Sequence, residues 1–117
     1  MNEIKLKRIE KVDEILLKEV VQRIIDAVNP VKIILFGSYA YGMAERGSDI
    51  DILIVVDNIK NSRREVRLKI RKVLREYLIG KDIIVVSPQD LEKWKNVPQS
   101  FLTSIVKKGR ILYERDT

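Results

Sequence analysis

The sequence contains neither cysteine nor histidine. Their absence excludes disulfides, thiol nucleophiles, imidazole general bases and the usual zinc sites. Any metal ion that this chain binds must therefore be a hard cation with oxygen ligands, and Mg²⁺ is the leading candidate.

Long apolar runs are also missing. No stretch of the sequence approaches the roughly 18 residues needed to cross a bilayer, and the N-terminus lacks the apolar core of a signal peptide. We therefore expect a cytoplasmic protein with no membrane partner. At 117 residues, the chain is long enough to bury one core but not two, which predicts a single domain over residues 1–117.

Basic residues outnumber acidic ones by 23 to 17, which gives a formal net charge of +6. This charge favours polyanionic partners such as nucleotides, and it is compatible with nucleic acid without requiring it. The basic side chains are spread along predicted helices, often beside glutamates, as in residues 5–19 and 63–76. A solvated surface therefore explains most of them more simply than a binding face does.

The apolar pattern alternates between helical and strand periods. Apolar side chains at three- and four-residue steps predict amphipathic helices, and continuous β-branched runs predict buried strands that are covered on both sides. The predicted helices span about residues 9–28, 62–78, 89–95 and 98–108, with a short one at 38–44. The predicted strands span residues 31–36, 50–56 and 83–86, and residues 111–113 form a terminal extended piece.

This order of elements predicts an α/β (α+β) fold with a small mixed three-stranded core sheet flanked by helices. Gly80 is expected to end the second long helix. Asp82 is expected to open the third strand.

Two aspartates, Asp49 and Asp51, stand at the start of the second predicted strand. Residues i and i+2 of a strand project from the same face, so the two carboxylates should project together. Two carboxylates roughly 5–7 Å apart repel by about 2–3 kcal/mol at an effective dielectric constant near 20. A fold tolerates this repulsion when a cation lies between them. Taken alone, the pair is explained more simply by Asp49 capping a turn and Asp51 lying at the solvent edge.

A glycine and a serine, Gly37-Ser38, follow the first predicted strand. Glycine lets a phosphate approach the backbone, and the N–H groups of a helix N-terminus and a serine hydroxyl can hold its oxygens. A Gly-Ser turn by itself is common, so this signal is weak on its own.

The connections between the strands bring these residues together. Gly37-Ser38 and Asp49 reach the same edge of the sheet if the first two strands are antiparallel. The helix before Asp82 is long enough for a parallel crossover to the third strand. Asp49, Asp51, Asp82 and Ser38 should then converge on one edge, although Asp82 alone is explained equally well as a turn cap.

Three acids beside a phosphate-binding turn are typical of two-metal phosphoryl transfer. In that chemistry two Mg²⁺ ions lie about 3.5–4 Å apart, bridged by carboxylates. One ion aligns the triphosphate and stabilises the leaving pyrophosphate, and the other lowers the pKa of the attacking hydroxyl. Asp82 is placed to hold the second ion and could accept the proton.

The spacing of Gly37-Ser38, ten further residues and Asp49-Ile50-Asp51 resembles the signature of the DNA polymerase β-like nucleotidyltransferase superfamily. The longer stretch over residues 37–54 is similar to the minimal nucleotidyltransferases, called MNT or MntA-type.

Two further parts of the chain carry the same resemblance. Asp82 matches the third carboxylate of that family in type and position, and residues 104–113 resemble its usual C-terminus. The likeness covers nearly the whole chain from about residue 10.

The resemblance implies a Mg²⁺-dependent nucleotidyltransferase that binds ATP. It would transfer AMP to a tyrosine of a partner HEPN-domain RNase toxin, as the antitoxin of a type VII-like toxin–antitoxin pair. Gly37 and Ser38 would bind the nucleotide phosphates. Asp49, Asp51 and Asp82 would be the catalytic residues and the ligands of two Mg²⁺ ions.

Two other functions are compatible with the same residues. One is a binding-only antitoxin that neutralises the HEPN toxin by forming a complex. The other is a nucleotidyltransferase for a small molecule or RNA that relies on a separate specificity subunit. The sequence is also compatible with an oligomer.

Overall fold

The computed structural model describes residues 6–45, 47–57 and 62–116. The strands and helices within these ranges follow the predicted order, except that the short helix predicted at residues 38–44 is absent and two short strands are added. In chain order they are β1 (Lys7–Arg8), α1 (Glu14–Val28), β2 (Lys32–Phe36), β3 (Ile50–Val55), α2 (Arg63–Leu74), β4 (Tyr77–Leu78), β5 (Lys81–Val86), α3 (Pro88–Trp94), α4 (Phe101–Lys108) and β6 (Arg110–Glu114).

A mixed sheet with the strand order β5-β3-β2-β6 forms the centre of the fold. Strands β2 and β3 are antiparallel, and β3 and β5 are parallel. Both pairings confirm the predicted topology, in which residues 37–49 connect the antiparallel pair and a segment containing α2 crosses over between the parallel pair. The sheet has four strands rather than three, since the C-terminal extended piece pairs with β2 as the antiparallel strand β6.

Both faces of the sheet are covered, as the nearly continuous apolar sequence of β3 predicts. Alternate residues of β3 divide between the two faces. Ile52 and Ile54 pack with α1 and α2, whereas Leu53 and Val55 pack with α4. The side chain of Asp51 belongs to the same alternation as Leu53 and Val55, so it emerges on the face that α4 covers.

Each of the four described helices begins at a capping side chain. Asp13 accepts a hydrogen bond from Leu16 N at 2.8 Å at the start of α1, and Ser62, Ser87 and Ser100 cap α2, α3 and α4 in the same way. Helix α1 therefore begins at Glu14 rather than near residue 9.

Two details of the predicted helices are wrong, namely the end of the helix that Ser62 caps and the short helix at residues 38–44. Helix α2 ends at Leu74 instead of residue 78, because Tyr77 adopts a strand conformation, pairs with β1 and buries its ring in the core. Residues 38–44 form a single turn rather than a helix, in which the Ala40 and Tyr41 amides both donate to Gly37 O at 3.1 and 3.2 Å.

Within the described ranges, none of the helices combines the length and the apolar character that a membrane span requires.

Candidate active site

Strand register places the predicted acids side by side. Asp51 of β3 is the direct neighbour of Asp82 of β5 in the parallel pairing, and the neighbour of Phe36 in the antiparallel one. Paired residues of adjacent strands point to the same face, and adjacent strands lie roughly 4.8 Å apart. Asp49 immediately precedes β3, two residues before Asp51. The three aspartates, called the acidic rim below, therefore meet at one end of the sheet.

The predicted phosphate-binding turn contacts the acidic rim directly. A Cβ atom built on Gly37 would overlap Asp51 Oδ2 and would lie 2.9 Å from Asp51 Cγ. Gly37 also has a φ of +72°, a conformation that side chains other than glycine rarely adopt. The glycine thus lets the backbone turn after β2 and leaves room for the Asp51 carboxyl group against that turn.

A second glycine supports Asp49. A Cβ atom on Gly80 would overlap Asp49 Oδ1 and would lie 2.6 Å from its Cγ. The Gly80 carbonyl also accepts a hydrogen bond from Ile50 N at 2.9 Å. Sequence reasoning assigned Gly80 only to the end of α2, and it missed this contact. The available signal was the position of Gly80, two residues before the third acid at the edge where the first two were expected.

Electrostatic coupling links the three acids. Burial raises the pKa of the Asp51 carboxyl, and the negative charges of Asp82 and then Asp49 raise that pKa further. Asp51 is half-buried, whereas Asp49 and Asp82 are exposed. The fields of the two outer carboxylates therefore converge on the more enclosed one, which is a site that favours a cation.

The turn that follows Gly37 leaves its first amides available. The Gly37 carbonyl accepts hydrogen bonds from residues three and four further along the chain, as at the start of a helix. Among residues 6–45, 47–57 and 62–116, no acceptor is recorded for the Ser38 or Tyr39 amide. Ser38 is half-buried and follows the glycine that contacts Asp51. Such amides can bind the oxygens of an anion.

A lysine beside the acidic rim is held away from it. Lys81 precedes Asp82 in β5 and so projects to the opposite face of the sheet. Its Nζ donates hydrogen bonds to the backbone oxygens of Tyr77 at 2.6 Å and Ile79 at 2.9 Å. Burial and the nearby Arg71 lower the pKa of Lys81. In the described part of the chain, no lysine or arginine forms an ion pair with an acid of the rim.

The donor chemistry of the rim fits Mg²⁺, because it offers carboxylate oxygens in a chain without histidine or cysteine. However, no three such side chains of the described residues surround one metal position. Asp49 lies against Gly80 and Asp51 against Gly37. The backbone positions of Asp51 and Asp82 are adjacent in the parallel pairing. The catalytic and metal-binding roles of Asp49, Asp51 and Asp82 stay predictions, as does phosphate binding by Gly37 and Ser38.

A groove beneath α3 and α4 lies away from the acidic rim. It has a volume of about 320 Å³, and Val31 and Val55 line it at the end of the sheet opposite the acidic rim. Its lining combines aliphatic side chains with Lys32, Lys95 and Lys107, and its place at the opposite end of the sheet separates it from the predicted acids and the phosphate-binding turn.

Substitution of two glycines with the same backbone conformation tests the contact between the turn and Asp51. Gly37 and Gly42 both have a φ of +72°, but a Cβ on Gly42 meets nothing within 4 Å. Gly42→Ala should cost about 1 kcal/mol of unfolding free energy from backbone strain. Gly37→Ala should cost about 1–3 kcal/mol more, because its Cβ displaces Asp51.

The unfolding free energies are measured by urea denaturation, and a cycle with Asp51→Ala isolates the contact. Equal costs at the two glycines, or no coupling to Asp51, would contradict this geometry.

The raised pKa of Asp51 predicts a pH-dependent cost. The ionised carboxyl of Asp51 is less favourable in the folded chain than in the unfolded chain. It therefore lowers the free energy of unfolding at a pH above the pKa that Asp51 has in the folded chain. This loss of stability disappears as the pH falls below the pKa that Asp51 has in the unfolded chain. With a metal chelator present, Asp51→Asn should therefore raise the melting temperature of the protein at pH 7.5 and change it little at pH 3.5. The exposed Asp116→Asn is the control. A gain that is the same at both pH values would refute the assignment.

The family of the chain can be determined by comparison with known proteins. Residues 17–117 match the family described as polymerase beta, nucleotidyltransferase. A candidate protein adenylyltransferase of Methanocaldococcus jannaschii is 33% identical over 90 residues, which are 74% of this chain and 60% of that protein. The chain thus spans less than two thirds of this relative. A second one from the same organism is 39% identical over 82 residues, 70% of this chain and 77% of the relative.

Solved structures share the fold. A candidate nucleotidyltransferase from Sulfolobus solfataricus is 26% identical, with a TM-score of 0.55 over 84% of this chain and 77% of its own. A toxin–antitoxin structure with AMP-PNP is 23% identical, with a TM-score of 0.54 over 86% and 74%. A mutant MntA-HpeT toxin–antitoxin structure is 20% identical, with a TM-score of 0.51 over 86% and 74%. The last two show the fold alone.

These matches confirm the predicted superfamily and the mixed α/β fold. The chain belongs to the polymerase β family of nucleotidyltransferases.

Proposed function

We propose that this nucleotidyltransferase transfers AMP from ATP to a tyrosine of a partner protein, a HEPN-domain RNase toxin that it neutralises as an antitoxin. The observation that carries the transferase activity is the contact of Gly37 with Asp51, which is itself the strand neighbour of Asp82. A phosphate-binding turn and paired acids at one end of a sheet suit phosphoryl transfer better than they suit stability.

The nucleotide and the acceptor have different support. The curated relatives described as candidate protein adenylyltransferases support AMP and a protein acceptor, and the related fold with AMP-PNP supports ATP. Toxin–antitoxin complexes among the structural neighbours support a toxin as partner. The HEPN domain and the tyrosine come from the resemblance to minimal nucleotidyltransferases.

The residues of the site suggest a division of work. The Ser38 amide and hydroxyl bind phosphate oxygens of ATP and orient the triphosphate. The tyrosine oxygen attacks the α-phosphorus, so that an O–P bond forms while the bond from the α-phosphorus to pyrophosphate breaks. Asp82, the more exposed member of the strand pair, accepts the proton of the hydroxyl and passes it to solvent.

Mg²⁺ would be held by Asp49, Asp51 and Asp82, and when bound it neutralises phosphate charge and lowers the pKa of the attacking hydroxyl. Asp51 is the member whose charge is least favourable without a cation, because it is half-buried and faces two other carboxylates.

Two aspartate substitutions test the proposal. Asp49→Ala and Asp51→Ala should each lower transfer by at least about 100-fold, since each removes a charge required at the reacting phosphate. Both variants should remain folded, because removing clustered like charges does not destabilise the domain. Transfer is measured with Mg²⁺ and each labelled nucleoside triphosphate, with and without the protein encoded beside this chain. Asp116→Ala is the control.

The outcomes separate the three functions. Loss of both labelling and toxin neutralisation in the variants supports protein AMP transfer. Neutralisation that survives without labelling indicates a binding-only antitoxin. Label on RNA or a small molecule, instead of the partner, indicates the third function and contradicts a protein acceptor.

A further inference from the structure

Helix α2 is far more basic than the rest of the chain. Among its 12 residues, six are lysine or arginine and one is acidic, and Arg75 follows directly. Ile70 and Leu74 are its buried residues and pack into the core beside α1. The charged side chains consequently occupy the outer surface of the helix.

Four of these cations form a line. Arg64, Arg67, Arg71 and Arg75 recur at steps of three, four and four residues, and all four are exposed. Residues at these steps lie on one face of a helix, within an arc of roughly 80° at 100° per residue. With a rise of about 1.5 Å per residue, the line is roughly 16 Å long. These four residues are called the arginine stripe below.

The charge of the arginine stripe is not compensated by nearby acids. Arg63, on the neighbouring face, forms an ion pair with Asp90 at 2.6 Å. In contrast, no carboxylate of the described residues lies within 4.0 Å of the stripe. The fold thus gathers like charges here without pairing them, which a merely solvated face would not require.

The C-terminal end of the arginine stripe lies near the strand that carries Asp82. Helix α2 forms the crossover from β3 to β5, so its C-terminal end returns to the end of the sheet where β5 begins. Helix α2 packs against β5 on the face of the sheet opposite the carboxylates of Asp51 and Asp82. One end of the stripe therefore lies beside the strand that carries an acid of the rim.

We propose that the arginine stripe binds the phosphate backbone of a single-stranded nucleic acid. A single strand carries one negative charge per nucleotide, so a strand laid along the stripe can present successive phosphates to its four arginines. Arginine suits this role because its planar fork binds phosphate oxygens in pairs. An acidic protein would need a matching straight row of carboxylates. The inference does not rest on the proposed transfer reaction.

Salt dependence gives the sharpest test. Binding of a fluorescein-labelled 20-nucleotide RNA is followed by anisotropy over a series of salt concentrations, in chelator and without ATP. Four phosphate contacts predict a slope of about −3 for the logarithm of the binding constant against that of salt. The triple variant Arg64→Gln, Arg67→Gln, Arg71→Gln should bind at least 10-fold more weakly at 50 mM salt, with a slope of about −1.

Two further variants control for charge and folding. A control triple variant carries Lys93→Gln, Lys107→Gln and Lys108→Gln, which removes the same charge from exposed positions of α3 and α4. Its affinity for RNA should change less than about 3-fold, because the four phosphate contacts stay in place. The triple arginine-to-lysine variant of the stripe should keep the slope. Thermal melts confirm that each variant is folded.

Three results would overturn the proposal. The first is a wild-type protein that does not bind RNA at 50 mM salt. The second is an equal loss of affinity in the control triple, which would make net charge rather than the stripe responsible. The third is competition by polyglutamate as strong as by RNA at equal charge, which would indicate an acidic protein as the occupant. Because ATP and Mg²⁺ are absent from the assay, these results are independent of whether AMP transfer occurs.

Discussion

The parallel pairing of β3 with β5 is the constraint on which the site depends. Its register sets Asp51 beside Asp82, and a slip by one residue would send one carboxylate to the opposite face of the sheet. Alternate residues of the same strands, such as Ile52 and Ile83, are almost fully buried in the core. Hydrophobic burial therefore fixes the register, and the register holds together charges that repel each other.

Glycines make this arrangement sterically possible. Gly37 and Gly80 leave space for the carboxyl groups of Asp51 and Asp49 against the backbone. The contact with Gly37 also joins the turn after β2 to the acids of β3, so that a triphosphate on the turn would lie next to them. The site is thus built from strand ends and tight turns, whose positions follow from the sheet, rather than from long mobile side chains.

Much of this could be predicted from local patterns. The apolar runs of β2 and β3 and the paired aspartates are explicit in the sequence, and connection lengths gave the strand directions. Contacts between distant segments could not be predicted in this way. The pairing of β6 with β2, the departure of Tyr77 from α2 and the contact of Gly80 with Asp49 all depend on tertiary packing. The spacing of the arginines in the sequence predicts that they share one face of α2. That they form no ion pairs with the described acids is seen only in the structure.

The central claim is that the acidic rim holds divalent metal together with a nucleotide. It is tested most directly by counting bound Mn²⁺, which accepts the same oxygen ligands as Mg²⁺, by electron paramagnetic resonance in the presence of AMP-PNP. The account predicts two ions per chain in the wild type and their loss in Asp51→Asn. Equal Mn²⁺ binding by the variant, or none beyond that of the free nucleotide, would contradict it.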